Sequence, residues 1–336
     1  MNNLDSIDRK ILSALDENSR LPFTILAKKS RTSRAIVEYR VKKLLERGII
    51  VSLSALVDAA KLGYTSWKIY VQFNNKNPEV KKTIVAYMKN NPAVWWVIET
   101  EGRFDIMFSI ITKNAHELYR TLHDFQTKYG VHTTKIEVTT HIITTFCSRG
   151  YLTNTASKKL YQVLDAPVLT KINFKDMEIL SSLTNNSRES VVTIAKKLKT
   201  TSKIVQYSIK KLQQQGILSR FRLIPNVNIL GMDYYKVLIR LQNITRVREL
   251  ALFQLLEEHP NVINYTHSWG PWDIEFEAEL ENYKELIKII HTIRESFPDI
   301  VQNIESLLIT KEHKPTNNFL LYKKIIKKEK SFLPSL

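Results

Sequence analysis

A single cysteine, Cys147, stands among 336 residues, so the chain can form neither an intrachain disulfide nor a cysteine-based metal cluster. That usage fits a reducing cytoplasm, where the protein is expected. The eight histidines are scattered without metal-ligand spacing, and there is no Gly-x-Ser-x-Gly or phosphate-binding loop. No catalytic residue, metal or cofactor is therefore expected. No apolar run approaches the ~18 residues of a membrane span, and the opening MNNLDSIDRK lacks the features of a signal peptide. Acidic residues are scarce beside basic ones, 33 against 50, which leaves a net charge of +17. Such a surplus favours a polyanionic partner, nucleic acid or an anionic surface. A composition rich in Lys, Asn and Ile would give part of the same surplus with no partner at all.

What the sequence does contain is itself, twice. TSRAIVEYRVKKLLERGII (32–50) returns as TSKIVQYSIKKLQQQGILS (201–219). At an offset of 168 residues Gly48 meets Gly216, Asp8 meets Asp176, Asn18-Ser19-Arg20 meets Asn186-Ser187-Arg188, and Lys42-Lys43-Leu44 meets Lys210-Lys211-Leu212. Leu62-Gly63, Pro92, Gly102 and Asp105 find Leu230-Gly231, Pro260, Gly270 and Asp273 at the same shift, with no insertion. The register identifies a tandem duplication. Two copies are too few for a solenoid and suggest both halves of a two-fold assembly in one chain.

Each copy opens with helical periodicity. Asp5 is placed to cap a helix whose apolar face is Ile7, Ile11, Leu12 and Leu15. A second helix is predicted near 23–29. A third, capped by Thr32 or Ser33, has the stripe Ile36, Val37, Val41 and Leu44 and ends at Gly48. Alternating apolar residues from Ile49 to Val57 predict a β-hairpin wing. Three helices and a wing describe a winged helix-turn-helix, whose third helix enters the major groove. The remainder reads strand 65–73, helix 78–90, strands 93–101 and 104–112, helix 114–128 and strand 133–146, the β-α-β-β-α-β order of a ferredoxin-like unit. Copy two repeats it with strand 234–241, helix 246–258, strands 262–269 and 272–280, helix 282–296 and strand 300–311. The predicted class is α+β, with winged helix-turn-helix domains at 1–60 and 171–228, ferredoxin-like domains at 61–146 and 229–313, a linker at 147–170, and a basic amphipathic tail at 314–336.

The segments LDSIDRKILSALDENSR, LAKKS and SRAIVEYRVKKLLERGII resemble the N-terminal domain of the Lrp/AsnC transcriptional regulators. EGRFDIMFSIIT and WGPWDIEFEAEL resemble the Gly-x-x-Asp turn of that family's effector-binding domain. The resemblance implies a DNA-binding regulator that self-associates through its ferredoxin-like halves. It also implies an amino acid or related small molecule bound near the Gly-x-x-Asp turn. The tandem fusion departs from the family pattern, as does Ser208 where copy one has Arg40, a position usually basic in the family.

The shared apolar stripe docks each third helix on its own domain, while the outward face is left to differ. In copy one that face offers Ser33, Arg34, Glu38, Tyr39, Arg40, Lys42 and Lys43; in copy two, Ser202, Lys203, Gln206, Tyr207, Lys210 and Lys211. Arg34 suits guanine and Gln206 adenine, whereas Lys42, Lys43, Lys210 and Lys211 suit phosphates. Residues 1–57 carry a net +5 and residues 169–225 a net +8, so the second reader is expected to hold duplex DNA more strongly and with more salt sensitivity. For an effector, Gly102, Arg103, Asp105, Gly270 and Asp273 are the candidates; exposed turn amides would take a carboxylate and an Asp an ammonium. A hairpin that merely needs Gly and Asp to turn explains the same residues. Pro271 removes an amide, which favours copy one. Trp95, Trp96, Trp269 and Trp272 are expected to pack an interface between the sheets. Two other functions fit parts of the pattern. Siroheme decarboxylases resemble this family and also occur as tandem fusions, and LSRFRLIPN (218–226) loosely suggests their basic segment. The other alternative is an architectural protein that coats DNA.

Overall fold

Asp5 caps helix α1 (Ser6–Glu17) by accepting hydrogen bonds from the backbone of Ile7 and Asp8. Helices α2 (Phe23–Ser30) and α3 (Arg34–Glu46) follow, the latter capped by Ser33. The computed structural model describes residues 4–74, 77–164 and 166–314. After the three helices come β1 (Ile50–Val57), β2 (Thr65–Phe73), α4 (Pro78–Asn90), β3 (Val94–Glu101), β4 (Ile106–Thr112), α5 (Ala115–Tyr129) and β5 (Thr133–Cys147). The connecting segment carries a short 3-10 turn at Gly150–Leu152 and β6 (Lys159–Val163), which pairs with β5. Copy two repeats the order as α6 (Phe174–Asn185), α7 (Val191–Lys197), α8 (Ser202–Gln214), β7 (Leu218–Pro225), β8 (Asp233–Leu241), α9 (Arg246–Glu258), β9 (Val262–Trp269), β10 (Ile274–Leu280), α10 (Tyr283–Ser296) and β11 (Val301–Lys314). The expected tail lies, from residue 315 on, outside the described residues.

The predicted class holds: two helix-turn-helix units and two ferredoxin-like units. One expectation needs correction. The stretch after Gly48 does not fold back into a hairpin within its own copy. It is the single strand β1, paired antiparallel with β7 of the other copy, with Leu53 opposite Leu223 and Ala55 opposite Phe221. The reason is burial. Ala55, Leu56 and Val57 pack in the same core as Leu180, Leu183 and Leu212 of copy two, while Leu223 joins the core of α1–α3. A hairpin within one copy would leave that exchanged apolar surface uncovered.

The ferredoxin-like halves exchange strands in the same way. Their strands run in the order β2-β4-β3-β11-β8-β10-β9-β5, and β5 also pairs with β2, so eight strands close into a barrel-like ring. The long strands β5 and β11 make the closure. The first part of β5 pairs with β2 and the last with β9; the first part of β11 pairs with β8 and the last with β3. Helices α4 and α5 cover one half from outside, and α9 and α10 the other. The helix-turn-helix pair sits on the ribbon of β1 and β7, above one mouth of this ring.

Candidate nucleic-acid interface

The two third helices present comparable faces to solvent. Val37, Val41 and Leu44 are buried on α3, as are Val205, Ile209 and Leu212 on α8. Ser33 accepts a hydrogen bond from Ile36 N at 3.2 Å, and Thr201, one residue before Ser202, accepts from Ile204 N at 3.3 Å. Tyr39 and Tyr207 stand 62% and 70% exposed, too open for structural tyrosines. Arg34, Lys42, Lys43, Lys203, Gln206 and Lys210 are also exposed.

The faces differ in how their charges are engaged. On α3, Arg34 Nε lies 2.7 Å from Glu38, and Glu46 lies 2.9 Å from Lys43 and 3.8 Å from Lys42. At the 168-residue offset Glu38 and Glu46 become Gln206 and Gln214, so α8 carries amides where α3 carries carboxylates. Among the described residues neither Lys203 nor Lys210 forms an ion pair. Two candidates are partly occupied elsewhere. Arg40 donates to Asp5 and, at 3.0 Å, to Asp8 on α1. Lys211 reaches Asp176 on α6 at 2.8 Å. Asp8 and Asp176 are equivalent buried acids on the first helix of each unit. Copy two, with Ser208 buried at the Arg40 position, answers its acid from Lys211. The Arg-to-Ser departure is thus a change in which cation neutralises a buried carboxylate.

A reciprocal contact fixes the two units against each other. Ser19 and Ser187 share a hydrogen bond of 2.7 Å, Arg20 donates to the carbonyls of Ser187 and Glu189, and Arg188 donates to those of Ser19 and Leu21. Ser187 N donates to Leu53 O at 2.7 Å, and Ser19 N to Phe221 O at 3.2 Å, which ties the bracket to the ribbon.

The Gly-x-x-Asp turns are built as equivalent anchors in the two copies. Asp105 accepts from Phe73 N and Asp273 from Leu241 N, each at 2.7 Å, so both carboxylates receive the backbone at the end of β2 or β8. Gly102 (φ +134°) and Gly270 (φ +153°) lie against the long strand of the other copy; a Cβ on Gly270 would stand 2.8 Å from Val138 O. Glycine is required there by close approach. Arg103 bridges Glu305 at 2.7 Å and Glu137 at 2.9 Å, and a small cavity of about 170 Å³ lies between it, Arg240 and Pro271. Of the four tryptophans beside the turns, Trp272 packs with Tyr70 and Phe104 in the core between the halves and Trp96 is buried in that same core. Trp95 is part-buried beside it, whereas Trp269 stays 76% exposed and packs no interface in this chain.

Sequence reasoning missed the interior of the ring. Lys68 and Lys236, equivalent at the same offset, are both buried and both meet Glu275, at 3.0 Å each; Lys236 also meets Glu277 at 2.9 Å. Copy one has Met107 and Ser109 where copy two has these glutamates. His141 Nε2 lies 3.5 Å from Glu275. Burial, reinforced by the Lys68 charge, pulls its pKa down to about 4 in spite of Glu275. At Glu277 the balance is the reverse: burial is outweighed, and Lys236 and Lys68 hold the carboxyl at about 2. The signal was legible as alternation: IEFEAEL puts Glu275, Glu277 and Glu279 on one face of a strand whose other face is apolar.

Comparison with known proteins gives a consistent picture. Residues 4–45 match the AsnC-type helix-turn-helix domain. The chain is 32% identical over 117 residues to the HTH-type transcriptional regulator FL11 of Pyrococcus horikoshii, covering 75% of that protein and 34% of this chain. It is 30% identical over 129 residues to the HTH-type transcriptional regulator LysM of Saccharolobus solfataricus, covering 88% of that protein and 38% of this chain. Over its whole length the fold is similar to that of the siroheme decarboxylase NirDL, with a TM-score of 0.62, 13% identity, and coverage of 97% of this chain and 100% of that one. At that identity the likeness concerns the fold alone. No helix among the described residues is long and apolar enough to cross a membrane.

Proposed function

This chain belongs to the Lrp/AsnC family of transcriptional regulators, and from that premise we propose that it reads duplex DNA as an intramolecular pseudo-dimer with two unlike reading helices. The observation that carries the reading is the pair of exposed, cationic outer faces on α3 and α8, held at one spacing by the Ser19–Ser187 and Arg20–Arg188 bracket. Arg34, Tyr39, Gln206, Tyr207 and Lys203 are the proposed base- and groove-facing residues. Lys42, Lys43 and Lys210 are the proposed phosphate contacts, with Ser33 and Ser202 at the helix starts. Arg40 and Lys211 contribute to the same field while anchored to α1 and α6.

The test is selection of bound sequences from a random duplex pool with the whole chain. The expected product is two different half-sites at a fixed separation of about one or more helical turns; recovery of perfect palindromes alone overturns the unlike-reader reading. Arg34→Ala with Lys203→Ala is expected to lower affinity at modest ionic strength about tenfold or more. Unchanged affinity would remove the assignment of these faces.

An amino acid or related small molecule at the turns, facing Gly102, Arg103, Asp105, Gly270 and Asp273, belongs to the same proposal. The cavity beside the turns is small, about 170 Å³; of these residues Arg103 lines it, and Arg240 is the second cation in its wall. A thermal-shift screen across the amino acids tests it, and a flat response removes it. The enzymatic alternative, a tetrapyrrole decarboxylase-like activity, predicts a haem-type absorption band on adding a tetrapyrrole. The regulator reading predicts none.

A further inference from the structure

A cavity of about 420 Å³ lies where the ring of strands opens beneath the ribbon, lined by Lys68, Trp96, Tyr234 and Glu277 from the ring, by Arg222 from β7 and by Val57 from β1. Its volume is in the range of small-molecule sites, and barrel mouths are a recurrent place for them. None of the residues around the Gly-x-x-Asp pocket lines it.

Its walls are aromatic and flat. Phe146 and Tyr161, both lining it, stack 4.8 Å apart at 18°, and the Arg222 guanidinium lies 5.8 Å from the Phe146 ring. Trp96 carries the Lys68 ammonium 5.3 Å from its ring. The acids that reach the space are already answered. Glu277 receives Lys236, Asn264 and Tyr234; Glu279 and Asp16 receive Arg149; Glu312 receives Trp96 Nε1. Cations share the space: Lys68, which meets Glu275 at 3.0 Å, lines it together with Arg222 and Lys311. Finally, Trp95 lines the cavity, and its buried Nε1 has no hydrogen-bond partner. A dehydrated N–H donor without an acceptor costs free energy that a bound acceptor would recover.

We propose that this mouth binds a planar aromatic carboxylate of one or two rings. The rings lie against Trp96 and the Phe146–Tyr161 pair, and the carboxylate takes Trp95 Nε1 and the cationic side of Lys68 and Arg222. Such a ligand touches both copies and the ribbon that carries the reading helices. Any effect on DNA rests on the regulator reading; binding itself does not.

The experiment is calorimetric titration of the whole chain with 2-naphthoate, beside 2-naphthylmethanol, which has the ring without the charge, and octanoate, which has the charge without the ring. Naphthoate is expected to bind saturably at one site per chain, and each control about tenfold more weakly or worse. Trp95→Phe, which keeps a ring and loses the N–H, and Arg222→Gln are each expected to weaken naphthoate roughly three- to tenfold with the thermal melt retained. Absence of saturable naphthoate binding to the unaltered chain overturns the proposal. So does equal binding of naphthylmethanol, or full-strength binding by both folded variants. DNA is absent from the titration, so failure here leaves the regulator reading intact, and failure of that reading leaves this one.

Discussion

Glu38 and Glu46 separate α3 from α8, the two proposed reading helices, more sharply than any basic residue does. They place carboxylates beside Arg34, Lys42 and Lys43, whereas α8 has Gln206 and Gln214 at those positions, and among the described residues Lys203 and Lys210 form no ion pair. As solvent-exposed ion pairs these contribute little to stability. Near a phosphate backbone they act mainly through charge. Glu38→Gln is expected to leave the melt unchanged, to raise non-specific duplex affinity about two- to tenfold at low salt, and to steepen the salt dependence by about one phosphate equivalent. Fluorescence anisotropy across a salt series checks it; a flatter salt slope would contradict it. His141 sets a residue-scale pH dependence. Its folded pKa of about 4 lies below its ordinary 6.5, so the unfolded chain takes up the proton first as pH falls. The contribution is full above the ordinary value and is lost from there down to about 4, roughly 2 kcal/mol between pH 7 and pH 5. Urea denaturation at the two pH values should show that loss, and His141→Gln should remove most of it.

At the scale of elements, the ribbon and the bracket do what a wing hairpin would not. Each strand of the ribbon serves the helical core of the opposite copy, so neither helix-turn-helix unit is complete alone. Arg20 and Arg188 then clamp the two units by donating to each other's loop carbonyls. Replacing both by Met should cost about 2–4 kcal/mol, the scale of lost charge-assisted hydrogen bonds, read as a shift in the urea midpoint. On the two-reader proposal, with the clamp fixing the distance between α3 and α8, the same variant should tolerate half-site spacings that the unaltered chain rejects. Unchanged spacing selectivity would show that the ribbon alone sets the distance.

For the whole molecule, the buried charges specify which halves pair. Lys68 and Lys236 are related by the pseudo-two-fold axis, but both glutamates that neutralise them come from copy two. Two first copies would bury two lysines with no acid, and two second copies would bury an excess of glutamates. Breaking a buried pair from one side is costly, while replacing it with apolar residues can be nearly neutral. Glu275→Met with Glu277→Ser, the residues of copy one, should therefore destabilise the chain by about 3–5 kcal/mol. Adding Lys68→Met and Lys236→Met should restore most of that, as measured by denaturant unfolding.

The repeat, the helix ranges and the strand order were legible because local periodicity and caps decide them. Thr65–Phe73, Pro78–Asn90, Arg246–Glu258 and Val262–Trp269 fall where alternation and turn residues put them. The outward face of α3 was legible too, since the apolar stripe leaves only one side to solvent. Asp105 and Asp273 were not, because whether a turn carboxylate faces a ligand or a backbone N–H depends on the strand end that arrives beside it. The duplication, the α+β class and the cationic outer faces of α3 and α8 were set by the sequence itself, through patterns that span one element at a time. Only the tertiary structure decided that β1 crosses to β7, that β5 and β11 close the ring, and that Lys68 and Lys236 share glutamates from one copy alone. Those are pairings between residues far apart in the chain, chosen by burial of surface and charge that no local pattern encodes.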